Sequence, residues 1–440
     1  MQTDMTVGKP MKMILDFTIP VFIGNVFQQF YNMADAIIVG KFVGTKGLAA
    51  VGSTGTIMFL IYGFVVGMTA GFTVLTAQKF GAGDMEGMRK TVVGAGVLSF
   101  VIGTILTILF MVFMKPLLIL MNTPSDIFAD AYAYIMIVSG GILAQMLYNL
   151  LSSILRALGN SKLPLYFLII SAILNIFGDL FFVIVLKAGS NGCAISTVLS
   201  EALCCLFCII YIQKKVPILR LGKKWLVFDA RLLKKTIAYG WASAMQQATV
   251  QMGKIAIQAL VNTMGVSVAA AFAVVNRIDD FAITPEQNIA HAMTALMAQN
   301  KGAGKNDRMR EGFRCGMILE LVYGAAVMLI CLGFARPLMS LFVKDEEVIG
   351  HGVVYLHLIA VMYILPAVTN ALQGFFRGIG DLKVTLMSSF TNMTVRVIAA
   401  APMVLLWNFG IEALPYSYLA GWIAMLLVET PLMLRIYRKK

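Results

Sequence analysis

Charged residues are scarce in this sequence: Asp, Glu, Lys and Arg make up 13% of its 440 residues, while hydrophobic residues make up 59%. Soluble globular domains contain about 25% charged and about 45–50% apolar residues. The mean hydropathy of +0.83 departs from theirs in the same direction. This composition excludes an ordinary water-soluble domain and predicts an all-α integral membrane protein.

Histidine and cysteine are also rare, with three and six copies. All six cysteines fall in or next to apolar segments, and none has the spacing to histidine that a zinc site requires. The sequence shows no nucleophile elbow and no His–carboxylate cluster. We therefore expect neither an enzyme nor a resident cofactor or structural metal.

Twelve long apolar segments predict twelve transmembrane helices, six in each half. Each is long enough for a helix to cross about 30 Å of hydrocarbon. The predicted spans are 12–39, 50–77, 92–114, 128–154, 163–187, 192–213, 237–263, 268–297, 313–334, 350–375, 385–408 and 412–435.

The two halves are copies of one unit at a constant offset of 221 residues. Residues 73–89 and 294–310 share nine identities in seventeen positions at this offset. Repeats in apolar chains typically form two bundles around a central cavity. We expect six-helix lobes at 1–213 and 237–440, joined by a basic linker at 214–236 and related by a pseudo-two-fold axis along the membrane normal.

The net charge of +13 has a topological explanation, because 26 of the 35 Lys and Arg lie in the tails and in alternate loops. The positive-inside rule then places both termini and the linker in the cytoplasm of a multi-pass plasma-membrane protein. The linker is expected on the membrane surface, partly as an amphipathic helix around Trp225 and Leu226. Three cations, Lys254, Arg277 and Arg396, lie inside spans. The basic excess favours contact with anionic lipid over binding of nucleic acid.

Span 1 has a polar face, which a lipid-exposed helix would not need. Asn25, Gln28, Asn32 and Asp35 lie three, four and three residues apart, which confines them to an arc of about 80° on an α-helix. The first three are candidates for lining a substrate cavity. Pro20 removes a backbone donor near the start of the span and makes a bend there a plausible hinge.

Span 5 supplies the complementary oxygen ligands. Asn175 and Asp179 lie one helical turn apart, and Thr197 follows on span 6. With Asp35 they offer two carboxylates, an amide oxygen and a hydroxyl, which suit Na⁺ or a proton shared by two carboxylates. The alternative is that both aspartates merely bond to polar neighbours, although no basic residue lies inside spans 1 to 6 to neutralise them.

The second copy lacks this set. At the offset of 221, the four positions become Ala256, Arg396, Ala400 and Tyr418. Because the scaffold is duplicated and the carboxylates are not, cation coupling is predicted in the first half. Glu429 is one candidate partner for the buried Arg396.

The second half carries its own polar side chains. Gln247, Gln251 and Lys254 share a face of span 7, and Asp280 lies on span 8. All four are candidates for the substrate cavity. For Lys254, a structural ion pair with Asp279 or Asp280 is the favoured interpretation, and a substrate site is the alternative.

The segment Ile14–Val51 resembles the start of the multidrug and toxic compound extrusion (MATE) transporters: a proline early in span 1, an Asp before an apolar-Val-Gly close, and a Gly-rich turn. The resemblance covers nearly the whole chain. It continues through AQKFGAGD at 77–84, RALGNSK at 156–162, NIFGD at 175–179, AQNKGAGK at 298–305 and RGIGDLK at 377–383.

The resemblance implies a monomeric antiporter that exports organic cations in exchange for Na⁺ or H⁺, with two lobes rocking around a cleft. In the DinF-like branch, the coupling residues correspond to Asp35, Asn175, Asp179 and Thr197. The NorM-like branch also uses acidic residues in spans 7 and 10, where this chain has Lys254 with glutamines and no carboxylate. The alternative within transport is a flippase for a lipid-linked precursor, which usually has a markedly cationic cavity.

Overall fold

The computed structural model describes residues 3–220 and 229–438, and within them the chain forms fourteen α-helices and no β-strand. The helices are α1 Pro10–Ile38, α2 Thr45–Gly81, α3 Met85–Leu120, α4 Phe128–Gly140, α5 Ile142–Ala157, α6 Lys162–Leu180, α7 Ser190–Lys215, α8 Ala230–Val261, α9 Val266–Gly302, α10 Asn306–Ser340, α11 Glu346–Ala360, α12 Ile364–Ile379, α13 Leu382–Leu405 and α14 Ala413–Arg438. Helices α1 and α6 continue as π-helical turns over Val39–Val43 and Phe181–Val185. The predicted all-α fold is confirmed.

Seven helical segments of the described chain are long and apolar enough to cross a membrane, and two bent helix pairs raise that number to nine. The pairs are α4 with α5, bent by 45°, and α11 with α12, bent by 55°. Helices α8, α9 and α13 do not pass the same test, because polar side chains interrupt their apolar runs. With them, the described residues contain the twelve long helical segments that the sequence predicts, and the bends in spans 4 and 10 are new findings.

The helices divide into two compact units. Unit 1 comprises Met1–Asp4 with Ile19–Ala244, and unit 2 comprises Met5–Thr18 with Met245–Lys440. Each has its own apolar core, and the first helix of each repeat changes unit along its length. Helix α1 begins in unit 2 and ends in unit 1, whereas α8 begins in unit 1 and ends in unit 2.

The linker predicted at 214–236 lies only partly within the described residues. Helix α7 reaches Lys215 and α8 begins at Ala230. Trp225 and Leu226, the centre of the predicted surface helix, lie outside the described residues. The predicted boundaries of the two lobes therefore stay predictions.

The internal repeat extends to backbone conformation. Glycine has no Cβ and adopts positive φ without steric cost. Three pairs of such glycines are separated by 221 residues: Gly44 and Gly265 (φ 97° and 99°), Gly83 and Gly304 (72° and 68°), and Gly159 and Gly380 (75° and 78°). The two copies thus turn in the same way between corresponding helices.

Candidate functional site

Helices α6 and α7 approach closely beside the predicted cation site. Gly178 permits this contact, because a Cβ atom there would lie 2.4 Å from Ser196 Oγ. Ser196 donates its hydroxyl proton to the backbone oxygen of Asn175 at 2.7 Å. Thr197 donates its own to the carbonyl of Cys193 at 3.0 Å. Both hydroxyl protons are therefore engaged by backbone oxygens.

The Asn175 amide is fixed by these two hydroxyls. Its Nδ2 donates to Thr197 Oγ1 at 3.2 Å and lies 3.5 Å from Ser196 Oγ. Its Oδ1 is buried and receives no hydrogen bond from the described residues. Thr197 here orients the amide oxygen, and its predicted role as a direct cation ligand stays a prediction.

The carboxyl groups of Asp35 and Asp179 lie within hydrogen-bonding reach of each other. Asp179 is 0% exposed, and Asp35 is half-buried. Neither oxygen of Asp179 receives a hydrogen bond from the described residues, and Oδ1 of Asp35 receives none either. The Ser196 hydroxyl and the Cys193 thiol are the polar neighbours of the Asp179 carboxyl group. Ionised carboxylates only accept hydrogen bonds, so neither can satisfy the other. Two negative charges this close repel each other, and a proton or a cation between them removes the repulsion.

The surroundings of the pair provide no positive charge. No Lys or Arg in the described chain forms an ion pair with either carboxylate. Tyr134 lies near both of them. One turn farther along, Ile38, Val39, Val183 and Cys193 form a small apolar cluster. A low-dielectric environment of this kind strengthens any interaction with an incoming cation.

The other candidates on α1 differ in their surroundings. Gln28 Nε2 donates to the hydroxyl of Tyr62 at 3.1 Å, Asn25 is half-buried and Asn32 is exposed. Helix α1 continues without a break through Pro20, which lies one residue beyond the point where the helix passes from unit 2 to unit 1. The cavity and hinge roles stay predictions.

The candidates in unit 2 lie on α8 and α9. Gln247 and Gln251 are half-buried. Lys254 Nζ lies 3.4 Å from Asp280 Oδ1, and both side chains are more than half exposed. This contact favours the structural ion pair considered for these two residues.

The position in unit 2 that corresponds to Asn175 is filled by a cation belonging to the chain. Arg396 is 7% exposed, and its guanidinium carbon lies 3.8 Å from the ring centre of Tyr418 and 5.6 Å from that of Trp422. Glu429, the partner considered from the sequence, instead accepts hydrogen bonds from side chains of α12 and α13. Aromatic rings therefore contact this arginine where a carboxylate was considered.

Sequence reasoning did not identify the residues that align α6 with α7. Ser196 has a serine at the corresponding position of the second copy, Ser417, whereas Gly178 corresponds to Ala399. A glycine present in only one copy, one turn from a predicted ligand, was the available signal.

The family comparison matches one range in each half of the chain. Residues 20–181 and 242–402 match the MatE family. The chain is 30% identical over 407 residues to the probable multidrug resistance protein YpnP of Bacillus subtilis (strain 168), covering 89% of this chain and 88% of that protein. It is 28% identical over 340 residues to the probable multidrug resistance protein YoeA of the same organism, covering 75% and 73%. The outward-facing structure of a multidrug resistance MATE family transporter of the MOP superfamily superposes with a TM-score of 0.92 at 23% identity, over 99% of this chain and 98% of that one. This chain belongs to the MatE family, the multidrug and toxic compound extrusion transporters, whose members are membrane transporters.

Proposed function

We propose that the protein exports organic, cationic compounds in exchange for H⁺ or Na⁺, and that Asp35, Asn175, Asp179 and Thr197 form the coupling site. The observation that carries this proposal is the neighbouring carboxyl pair: both oxygens of Asp179 and Oδ1 of Asp35 receive no hydrogen bond, and no Lys or Arg of the described residues forms an ion pair with either group. The unpaired amide oxygen of Asn175 adds a third neutral or negative ligand. Such an oxygen set suits a hard cation or a shared proton.

Coupling requires that the charge state of this site changes the shape of the protein. Asp35 lies on α1, the helix whose first residues belong to unit 2 and whose remainder belongs to unit 1. Pro20 lies at that change and cannot donate to the carbonyl of Asp16, so the helix is weakened there. The corresponding residue of α8 is Trp241, which retains the donor. We therefore assign the hinge to α1.

The coupling ion and the substrate then favour opposite states of one two-state equilibrium, which is the thermodynamic requirement of antiport. The polar side chains of α1, α8 and α9 are proposed to line the substrate cavity. They are Asn25, Gln28, Asn32, Gln247, Gln251, Lys254 and Asp280. We place both termini in the cytoplasm and the protein in the plasma membrane, where an inward-negative potential contributes about 2.3 kcal/mol per charge per 100 mV to cation entry.

The contacts in unit 2 favour export of cations over flipping of a lipid-linked precursor. A flippase for a pyrophosphate-linked lipid needs free intramembrane cations. Lys254 contacts Asp280, and the guanidinium of Arg396 lies on aromatic rings. Two of the three intramembrane cations are therefore engaged within the protein, and the third is Arg277.

Proteoliposomes test the proposal. Efflux of the cationic dye rhodamine 6G is measured under a proton gradient and, separately, under a sodium gradient. We expect one gradient to drive efflux by the wild type, and Asp35→Asn and Asp179→Asn to reduce it to the rate of protein-free liposomes. Asp126→Asn, the same change at an exposed loop carboxylate of unit 1, serves as the matched control. Gradient-driven efflux by both site variants at the wild-type rate would disprove the coupling role.

A further inference from the structure

One face of α9 is polar and exposed within its predicted span. Arg277, Asp280, Thr284 and Gln287 lie three, four and three residues apart, which confines them to an arc of about 80°. Three of these side chains are exposed, and Thr284 is half-buried. The opposite face of the helix is apolar and buried, and it consists of Val275, Ile278, Ala282 and Ile289.

Arg277 lies too deep in its span to reach the membrane surface. It follows the start of the predicted span, residue 268, by nine residues, or about 14 Å of helix, in a hydrocarbon layer about 30 Å thick. Lys254 on α8 precedes the end of its own span, residue 263, by the same number of residues. Long basic side chains reach the interface only from positions near helix ends. We therefore expect these exposed charges to face water rather than lipid.

The charges on this face do not cancel. Lys254 Nζ lies 3.4 Å from Asp280 Oδ1, and this contact joins the polar faces of α8 and α9. No Asp or Glu of the described residues forms an ion pair with Arg277. The other carboxyl groups of α9 are buried, since Asp279 is 7% exposed and Glu286 is 0% exposed. Arg277 therefore adds an exposed positive charge that no carboxylate of the described residues neutralises.

The corresponding positions of unit 1 carry no charge. At the offset of 221 residues, the position of Arg277 holds Thr56, and the positions of the ion pair hold Met33 and Phe59. All three of these unit 1 side chains are exposed. Because the duplicated scaffold forms without charges at these positions, the arginine is not required by the architecture, and binding of a ligand accounts for it better.

We propose that Arg277 binds a carboxylate of the transported compound, so that unit 2 provides a subsite for the anionic group of amphoteric substrates. A guanidinium presents a planar pair of N–H donors that matches both oxygens of a carboxylate. A single free arginine balances one negative charge, which suits a carboxylate better than a pyrophosphate. The proposal rests on the proposed export function and assigns to it, as a substrate class, organic cations that also carry a carboxylate.

Equilibrium binding to the purified full-length protein in detergent tests the subsite without a gradient. Rhodamine 110 in its zwitterionic form carries a cationic ring system and a free carboxylate, and rhodamine 123 is its methyl ester. We expect Arg277→Gln to weaken binding of rhodamine 110 about tenfold and to change binding of rhodamine 123 by less than about twofold, because only the free carboxylate forms charge-assisted hydrogen bonds. Arg277→Lys keeps the charge but not the planar pair of donors, so it should recover part of the lost affinity.

The matched control is Arg314→Gln, the same change at an exposed arginine of unit 2 that lies on α10. We expect this variant to bind both dyes as the wild type does. Unchanged affinity of Arg277→Gln for rhodamine 110, an equal loss for both dyes, or the same selective loss in Arg314→Gln would overturn the subsite. Failure of the wild type to bind rhodamine 110 would overturn it as well.

The gradient experiments decide the antiport proposal separately. Selective loss of rhodamine 110 binding in Arg277→Gln, together with wild-type efflux that ignores both gradients, would uphold the subsite and refute antiport. Efflux driven by one gradient, together with unchanged binding in Arg277→Gln, would uphold antiport and refute the subsite.

Discussion

The helix pairs α6–α7 and α13–α14 occupy corresponding places in the two repeats and carry opposite chemistry. In α6 the two key positions hold Asn175 and Asp179, and in α13 they hold Arg396 and Ala400. Unit 2 thus contains its cation as part of the chain, whereas the described residues of unit 1 present a carboxyl pair without one. The same duplicated pair of helices therefore holds an arginine of the chain in one copy and two carboxyl groups without a basic partner in the other.

The contact between the paired helices differs as well. Ser196 donates across to the backbone of α6, while its counterpart Ser417 donates within its own helix to Leu414 at 2.7 Å. Residue 178 is glycine and its counterpart, residue 399, is alanine. The close approach that orients the amide oxygen in unit 1 therefore depends on a missing methyl group.

Transferring the unit 2 arginine into unit 1 should have the largest effect. In Asn175→Arg, a guanidinium that cannot deprotonate would lie beside both aspartates and neutralise them permanently. We expect gradient-driven efflux in proteoliposomes to fall at least about a hundredfold, since the site could no longer exchange its cation. The protein should remain monodisperse, because the new charge has two carboxylate partners.

Asn175→Met distinguishes the added charge from the lost amide. It has a long side chain without charge, so the aspartates can still exchange an ion, and we expect efflux to fall only about tenfold through the missing oxygen ligand. Equal efflux rates for Asn175→Arg and Asn175→Met would show that the inserted positive charge is not what prevents exchange of the ion.

The converse change removes the fixed cation from unit 2. In Arg396→Met, the rings of Tyr418 and Trp422 lose their cation and nearby Asp279 loses a positive neighbour. We expect the free energy of unfolding in mixed micelles to fall by about 2–4 kcal/mol. Arg396→Lys, which keeps the charge but not the planar group, should lose less. A free energy of unfolding of Arg396→Met equal to that of the wild type would show that the arginine does not stabilise unit 2.

A smaller loss of stability is expected when the glycine at the α6–α7 contact is replaced by alanine, the residue at the corresponding position of unit 2. In Gly178→Ala, the new methyl group would collide with Ser196 Oγ and separate α6 from α7. We expect a loss of about 1–3 kcal/mol in the free energy of unfolding and weaker ion coupling, although no ligand is removed. Gly96→Ala in α3 is the matched control, because nothing lies within 4 Å of its added Cβ. Equal stability of the two variants would contradict the packing role of Gly178.

The sequence predicts the helical spans well but not where they bend. Apolar runs define each span, whereas the bend at Gly141 depends on another helix: a Cβ there would lie 2.5 Å from a methyl carbon of Val198. In unit 2 the bend adjoins Tyr363, whose hydroxyl donates to Asp279 on α9. Such contacts join residues far apart in sequence, so periodicity within one helix does not reveal them.

In the candidate site, too, the sequence predicts which residues take part but not how neighbouring helices arrange them. Helical spacing and the unequal repeat are enough to single out Asp35, Asn175 and Asp179. The engagement of the Thr197 hydroxyl and the aromatic partners of Arg396 depend on the register between neighbouring helices, which a single sequence does not encode in its spacing. Inter-helix register is therefore what the structure adds.

The turns that precede α3 and α10 give the last contrast between the repeats. Asp84 Oδ1 accepts a hydrogen bond from the Gly87 N–H at 2.8 Å, and Lys79 Nζ lies 2.7 Å from Oδ2. The corresponding residue before α10 is Lys305, which forms no side-chain cap. The Lys79 ammonium and then the Gly87 N–H hold the pKa of Asp84 below its usual range.

Because the folded-state pKa of Asp84 is lowered, its stabilisation is present above the unfolded pKa of about 4 and is lost as the pH falls through the folded value. We expect Asp84→Ala to reduce the free energy of unfolding by about 1 kcal/mol or less at pH 7, since the side chain is 40% exposed and solvent weakens its ion pair with Lys79. The difference from wild type should shrink toward pH 3, whereas that of Lys305→Ala, which removes no carboxylate, should be the same at both pH values. Denaturant unfolding at both pH values measures this, and a difference for Asp84→Ala that is constant with pH would show that the carboxylate charge contributes nothing to the cap.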